Sequence, residues 1–131
     1  MQLFGTSGIR DVVDSWLIQL AFKVGLAVGR LNSAVVVGCD TRTSSSSMKH
    51  AVIAGLLAAG SKSCDAGVLP TPTLALAARE FDTGVMVTAS HNPPQYNGIK
   101  LLNPDGSAFD MHQQRQIEEI VSGDSINHLM G

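Results

Sequence analysis

Charge is scarce in this chain of 131 residues: 9 lysines and arginines against 11 aspartates and glutamates, together only 15% of the sequence. The basic residues are scattered, with no run and no alternation with aromatics, and the net charge is −2. A nucleic-acid partner, which needs a positive footprint, is therefore not expected. Cysteine is scarcer still. Cys39 and Cys64 have no metal-ligand spacing and lie in apolar, strand-like contexts, so both are expected as reduced core residues. No apolar run approaches the roughly 20 residues of a membrane span. Met1-Gln2-Leu3-Phe4-Gly5 lacks a cationic-then-apolar signal, so the cytoplasm is the expected location. A composition 44% hydrophobic argues against disorder and for one compact domain with a single core.

Gly5-Thr6-Ser7-Gly8 is expected as a loop, its glycines letting backbone amides converge. Trp16, Leu20, Val24, Ala27, Val28 and Leu31 recur at helical spacing over 15–31, and Ala21, Gly25, Ala27 and Gly29 predict close approach of that helix to a sheet. Ala34-Val35-Val36-Val37 reads as a strand covered on both faces. The serine tract 44–47 is expected as a loop with an N-cap, leading into a helix over 48–59 that Gly60 stops. Further strands are expected at 63–69 and 84–88, with a helix over 73–81 capped by Thr71 or Thr73. A strand over 98–102 returns antiparallel, Asn103-Pro104-Asp105-Gly106 turns, and a last helix covers 111–121. The alternation predicts a three-layer α/β/α domain, residues 1–131, on a mixed, mostly parallel four-stranded sheet.

Ligands of such sheets collect beyond the carboxyl ends of the strands. Three polar clusters are expected there: Asp40-Thr41-Arg42, Thr71-Pro72-Thr73 and Ser90-His91-Asn92. Ser90 follows a strand and precedes Pro93-Pro94, which restrict the backbone and hold its hydroxyl on a stiff turn. There is no Gly-x-Ser-x-Gly elbow, and His91, adjacent in sequence, is badly placed as a base for Ser90. Phosphoryl transfer suits the residues better, since it needs positioned cations and donors, here Arg10, Lys100, His91 and the amides of the first loop. Arg10 and Arg42 taken singly read as structural ion pairs, and Asp40 and Arg42 as bonding each other or the loop backbone. His50, His112 and His128 read as surface residues.

Phe4-Gly5-Thr6-Ser7-Gly8-Ile9-Arg10, Asp40-Thr41-Arg42, and the stretch from Thr88-Ala89-Ser90-His91-Asn92-Pro93-Pro94 to Tyr96-Asn97-Gly98-Ile99-Lys100 resemble the α-D-phosphohexomutase family, the phosphoglucomutases, phosphomannomutases and phosphoglucosamine mutases. The resemblance runs in order along the whole chain and is to the first of the family's four domains. It implies that Ser90 carries a phosphoryl group, gives it to a hexose phosphate and retakes one from a hexose bisphosphate intermediate. It implies that His91, Lys100 and Arg10 serve catalysis, Arg10 and Lys100 either electrostatically or in proton handling, and that Thr6, Ser7 and Asn92 bind phosphate or substrate. Mg²⁺ is implied on the serine phosphate, with three aspartates from a second domain whose Asp-x-Asp-x-Asp-Arg loop is not in this sequence. The sugar-recognising and distal phosphate-binding loops of domains III and IV are likewise not in it. The isolated chain is therefore expected to be inactive, its partners being the hexose phosphate and the remaining mutase domains. It is also expected to expose an apolar interdomain face that can self-associate. Asp11 departs from the family, standing where glycine is usual. The alternative is a stand-alone, non-catalytic domain that binds sugar phosphates or a partner through the Ser90 loop.

Overall fold

The computed structural model describes residues 2–5 and 8–123. The order is β1 (Ile9–Val12), α1 (Ser15–Leu31), β2 (Ala34–Cys39), α2 (Ser45–Ala58), β3 (Lys62–Val68), α3 (Thr71–Ala77), a 3-10 turn (Ala78–Glu80), β4 (Thr83–Val87), β5 (Tyr96–Leu102) and α4 (Met111–Ser122). Among the described residues the strands form one sheet in the order β1-β5-β4-β2-β3. β2 pairs in parallel with β3 and β4, whereas β5 is antiparallel to both β4 and β1. β5 alone is reversed, and the sheet is mixed.

The three-layer α/β/α architecture is as expected, but the sheet has five strands rather than four. The strand that sequence reasoning missed is β1, which follows a glycine-rich stretch too short for a periodicity signal. It is made by pairing: Ile9 opposes Ile99 and Arg10 opposes Gly98. Asp11 lies within this extended strand opposite Asn97, so a side chain there meets no conformational obstacle. Glu118 of α4 accepts from the amides of Leu3 and Phe4 at 2.6 and 3.2 Å and anchors the segment leading into β1.

One face of the sheet, with Val35, Val37, Val85, Val87, Ile99 and Leu101, packs under α1, α2 and α4. The other, with Val36, Met86 and Leu102, packs on Leu74 and Ala78. Both faces of β2 and β4 are thus covered, as their unbroken apolar runs require. Asp14 caps α1 by accepting from the Leu17 amide, and Asp110 caps α4 in a reciprocal box with Gln113. No helix among the described residues is long and apolar enough to cross a membrane.

Four local expectations are corrected. Gly25 and Gly29 of α1 face α2, not the sheet: a Cβ on Gly25 would collide with the Val52 carbonyl oxygen, and one on Gly55 with that of Phe22. Ser45 to Ser47 are helical rather than loop, and Ser44 at the N-cap makes no side-chain cap bond. Pro70, not Thr71 or Thr73, takes the N-cap of α3, its fixed φ suiting the extended approach to the helix. Cys64 is exposed because β3 is an edge strand, whereas Cys39 is buried. Burial, the largest influence on Cys39, raises its thiol pKa.

Two measurements check this packing. G25A should cost about 1–3 kcal/mol in urea unfolding, because backbone rather than a flexible side chain blocks the added methyl. A thiol reagent should label Cys64 but not Cys39 in the native chain, and both after denaturation.

Candidate active site

β2, β3 and β4 end at the same edge of the sheet, and there the chain opens a cavity of about 680 Å³. Asp40 and Arg42 line it from the end of β2, Pro70 and Thr71 from the end of β3, and Thr88, Ser90, His91 and Asn92 from the end of β4. The three sequence clusters therefore do converge. The loop carrying Ser90 joins two adjacent antiparallel strands, so both its ends are fixed to the sheet: the Thr88 amide donates to the Gly98 carbonyl and the Asp40 amide to Val87. Two consecutive turns shape it, closed by Asn92 N–H to Ala89 carbonyl and Tyr96 N–H to Pro93 carbonyl, each at 3.0 Å.

Ser90 is exposed and has φ of 52°, the only positive φ of a non-glycine among the described residues. The left-handed region crowds a Cβ and persists only where surrounding bonds over-determine it. Those bonds are present. The Ser90 amide donates to Thr88 Oγ1 at 3.0 Å. Arg42 donates from Nη2 to the carbonyls of Ser90 and Asn92, both at 2.8 Å, and from Nη1 to those of Pro93 and Tyr96 at 2.8 and 3.1 Å. Its Nε pairs with Asp40 Oδ2 at 3.2 Å.

Asp40 holds this assembly to β2 and α2. Its Oδ2 also accepts from Thr88 Oγ1 at 2.7 Å, and its Oδ1 from Ser45 Oγ at 2.5 Å and the Arg42 amide at 3.1 Å. Burial acts most strongly on the carboxyl and would raise its pKa. The hydroxyl bonds from Ser45 and Thr88, the Arg42 amide and the Arg42 charge together outweigh it, and the net direction is downward. Asn97, fully buried in β5, donates to the Ser44 and Ser45 hydroxyls at 2.9 and 3.0 Å and ties the start of α2 to the far end of the loop.

Arg10 reaches Ser90 from β1, two strands away. Its Nη2 donates to Ser90 Oγ at 3.1 Å and its Nη1 to Asn92 Oδ1 at 2.8 Å. Gly98 lies opposite: a Cβ there would collide with the Ile9 carbonyl oxygen and come within 2.9 Å of Arg10 Cγ, so the close approach of β1 and the path of the arginine stem both use the missing side chain. Arg10 Nε is buried without a partner among the described residues, and within them the guanidinium's orientation is set by the two Nη bonds.

Ser90, Asn92 and Arg10 are thus in contact, and His91 is exposed on the cavity rim. Lys100 lies on β5 opposite Met86, a residue of the cavity wall, but lines instead a smaller cavity with Phe4 and Gly8 and forms no ion pair among the described residues. Thr6 and Ser7 lie outside the described residues, as does His128. Sequence reasoning did not single out Thr88, Ser45 or Asn97, nor the reach of Arg42 along the loop. Asp-Thr-Arg directly after a buried strand, and the presence of Thr88 and Asn97 in the stretch that carries the resemblance, were the signals, and neither assigned these residues a role. For a divalent cation the donor set is insufficient: the Asp40 oxygens are engaged, and no group of three or more His, Cys, Asp or Glu is gathered among the described residues.

A serine on an over-determined turn, with a guanidinium on its oxygen, thus stands at the open edge of a mixed α/β sheet. Residues 1–127 match the sequence profile of phosphoglucomutase/phosphomannomutase, alpha/beta/alpha domain I. The phosphoglucosamine mutase of Methanococcus aeolicus is 50% identical over 121 residues, covering 92% of this chain and 26% of the relative. That of Methanococcus maripaludis is 48% identical over 127 residues, covering 97% and 28%. The crystal structure of a phosphoglucomutase/phosphomannomutase family protein from Burkholderia thailandensis superposes with a TM-score of 0.78 at 33% identity, over 91% of this chain and 30% of that one. The chain belongs to the α-D-phosphohexomutase family, as its N-terminal α/β/α domain, and spans less than a third of the length of these relatives.

The Asp40 node makes a prediction about acid. With its folded pKa lowered from the ordinary 3.8, the carboxylate's stabilisation is complete above that value and is lost as pH falls through the lower folded one. Asp65, whose burial is outweighed chiefly by Lys49, adds a contribution of the same sign. D40N should cost about 1–3 kcal/mol at neutral pH and lose less further stability than the parent between neutral pH and about pH 2, as read by urea unfolding.

Proposed function

We propose that Ser90 is the phosphoryl carrier of a phosphohexomutase and that these 131 residues form the half of its active site that holds and orients the phosphoserine. The observation that carries this reading is the left-handed Ser90, its backbone gripped by Arg42 and its Oγ in contact with Arg10. In the forward step a hexose-phosphate hydroxyl attacks the phosphorus, the bond from phosphorus to Ser90 Oγ breaks, and the hydroxyl proton balances the charge left on Oγ. Arg10 Nη2 stands where that charge develops, which is where a fixed donor lowers the barrier most. Asn92 orients Arg10 from its other side. His91, on the rim, is assigned to the travelling phosphoryl group, and Lys100 to charge stabilisation or proton transfer at the sugar. Thr6 and Ser7 are assigned to phosphate.

Relatives named phosphoglucosamine mutase make an amino-hexose phosphate the first substrate to test, with the corresponding bisphosphate as intermediate. Mg²⁺ would be held by the phosphoryl oxygens on Ser90 and by carboxylates from outside these residues, and when bound would act as a Lewis acid on a phosphoryl oxygen.

Within the full-length mutase, incubation with hexose bisphosphate and Mg²⁺ followed by mass measurement should show one added phosphate on Ser90, lost in S90A. Phosphate retained in S90A, or located on another residue, would overturn the assignment. Under the same conditions the isolated chain should not turn over glucose, mannose or glucosamine phosphates. Binding of these sugars with no phosphate ever on Ser90 would favour the non-catalytic binding domain instead.

A further inference from the structure

We propose that Arg42 is the positioning residue of this site, setting the left-handed backbone of Ser90 and through it the contact between Ser90 Oγ and Arg10. The inference rests on the reading of Ser90 as the phosphoryl carrier, and extends it to a residue that touches neither phosphate nor sugar in that reading. Arg42 spends its side-chain donors on protein. Nη2 bridges the Ser90 and Asn92 carbonyls, Nη1 bridges those of Pro93 and Tyr96, and Nε is held by Asp40. A guanidinium so engaged has no free edge with which to take a ligand. What it does is geometric: one rigid plane fixes four carbonyl oxygens across residues 90–96, a span whose other backbone bonds among the described residues are two turn bonds, Ser90 N–H to Thr88 Oγ1 and Val13 N–H to the Gln95 carbonyl, with none of these on the Ser90 carbonyl.

The consequence falls on Ser90. Directing its carbonyl toward Arg42 while its amide points at Thr88 Oγ1 holds the peptide planes on either side of the residue, and so its φ and ψ. Without the first bond, Ser90 relaxes toward the negative φ that a side chain prefers, and its Oγ swings away from Arg10. Lysine cannot substitute: it keeps the charge but offers a point donor in place of a planar fork. Arg42 and Arg10 thus divide the work, one on the backbone of Ser90 and one on its oxygen.

The test is nuclear magnetic resonance on the 131-residue chain. In the wild type Ser90 should show the strong cross-peak between its own amide and Hα that marks positive φ. The Arg42 Nη protons should be resolved and slow to exchange, unlike those of exposed Arg79. In R42K the core resonances should stay in place while the Ser90 cross-peak falls severalfold. An unchanged cross-peak in folded R42K overturns the proposal, and so does an Arg42 guanidinium in the wild type that rotates as freely as that of Arg79. The latter measurement needs no variant to fold. S90A removes the phosphate site but leaves the carbonyls that Arg42 grips. Its pinned Nη protons therefore report on the clamp alone, while the mass of the full-length mutase reports on the carrier, and the two readings fail separately.

Discussion

The site depends on how the Asp40 carboxylate is shared. Its oxygens accept from two hydroxyls and from the amide and guanidinium of Arg42, and these join three parts of the site: α2 through Ser45, the end of β4 through Thr88, and, through the carbonyls that Arg42 holds, the 90–96 loop. A left-handed non-glycine residue costs on the order of 1–3 kcal/mol. Hydrogen bonds to a charged group contribute about 1.5–3 kcal/mol each. Even after discounting for the part of the loop that faces water, four carbonyl bonds from Arg42 exceed that cost. The strain at Ser90 is therefore tolerated, provided Asp40 stays ionised and Arg42 stays oriented.

The reversed strand gives this arrangement its location. Because β5 runs antiparallel to β4, the loop between them returns to the sheet beside the strand it left, at the edge where β2 and β3 also end. A parallel crossover would have carried the chain away through a helix. The same reversal places Gly98 opposite Arg10, and the missing side chain lets the arginine stem cross β5 to Ser90. At the sheet's far edge β1 has few side chains to bury. It is held by its pairing to β5 and by Glu118 on the segment before it. Arg10 is thus delivered by a strand whose own sequence says little.

That contrast explains what could be read in advance. The α1 span, the buried β2 and β4 runs and the turn at Asn103-Gly106 were legible because short-range rules govern them: periodicity, β-branching and turn chemistry. The Ser90 neighbourhood was legible as a stiff turn because prolines act locally. β1 was not, because only its pairing makes it a strand. The glycines of α1 were seen as marking a close approach, but a glycine does not name its partner, and the partner is α2. Cys64 was misjudged because burial of a strand depends on its place in the sheet, and β3 is at the edge. The bonds that bring Arg42 and Arg10 to the Ser90 loop join residues 48 to 82 positions apart, from Arg42 to Ser90 and from Arg10 to Asn92. No local pattern encodes such pairs. Asp-Thr-Arg after a strand showed that something polar would lie there, but not what it would hold.

The arrangement also bears on why a carrier serine would be built this way. A phosphoryl group that is given and later retaken has to meet the attacking oxygen along the same line both times, and a flexible serine would lose that alignment between the two events. Here rigidity is supplied from behind, through main-chain oxygens: Ser90 is exposed, and among the described residues Arg10 alone bonds to its Oγ, with His91 at the rim. Such a site is strongly positioned but weakly enclosed. In water, with high dielectric around it, one guanidinium offsets little of the charge of a phosphoryl group, and exclusion of solvent would strengthen every contact at once. A wall closing over the cavity has no need to reposition Ser90, because that geometry is already set from within the domain. In the function proposed above it would add the missing charge and the grip on the sugar. Positioning and enclosure are then separable tasks, and the residues of this chain perform the first.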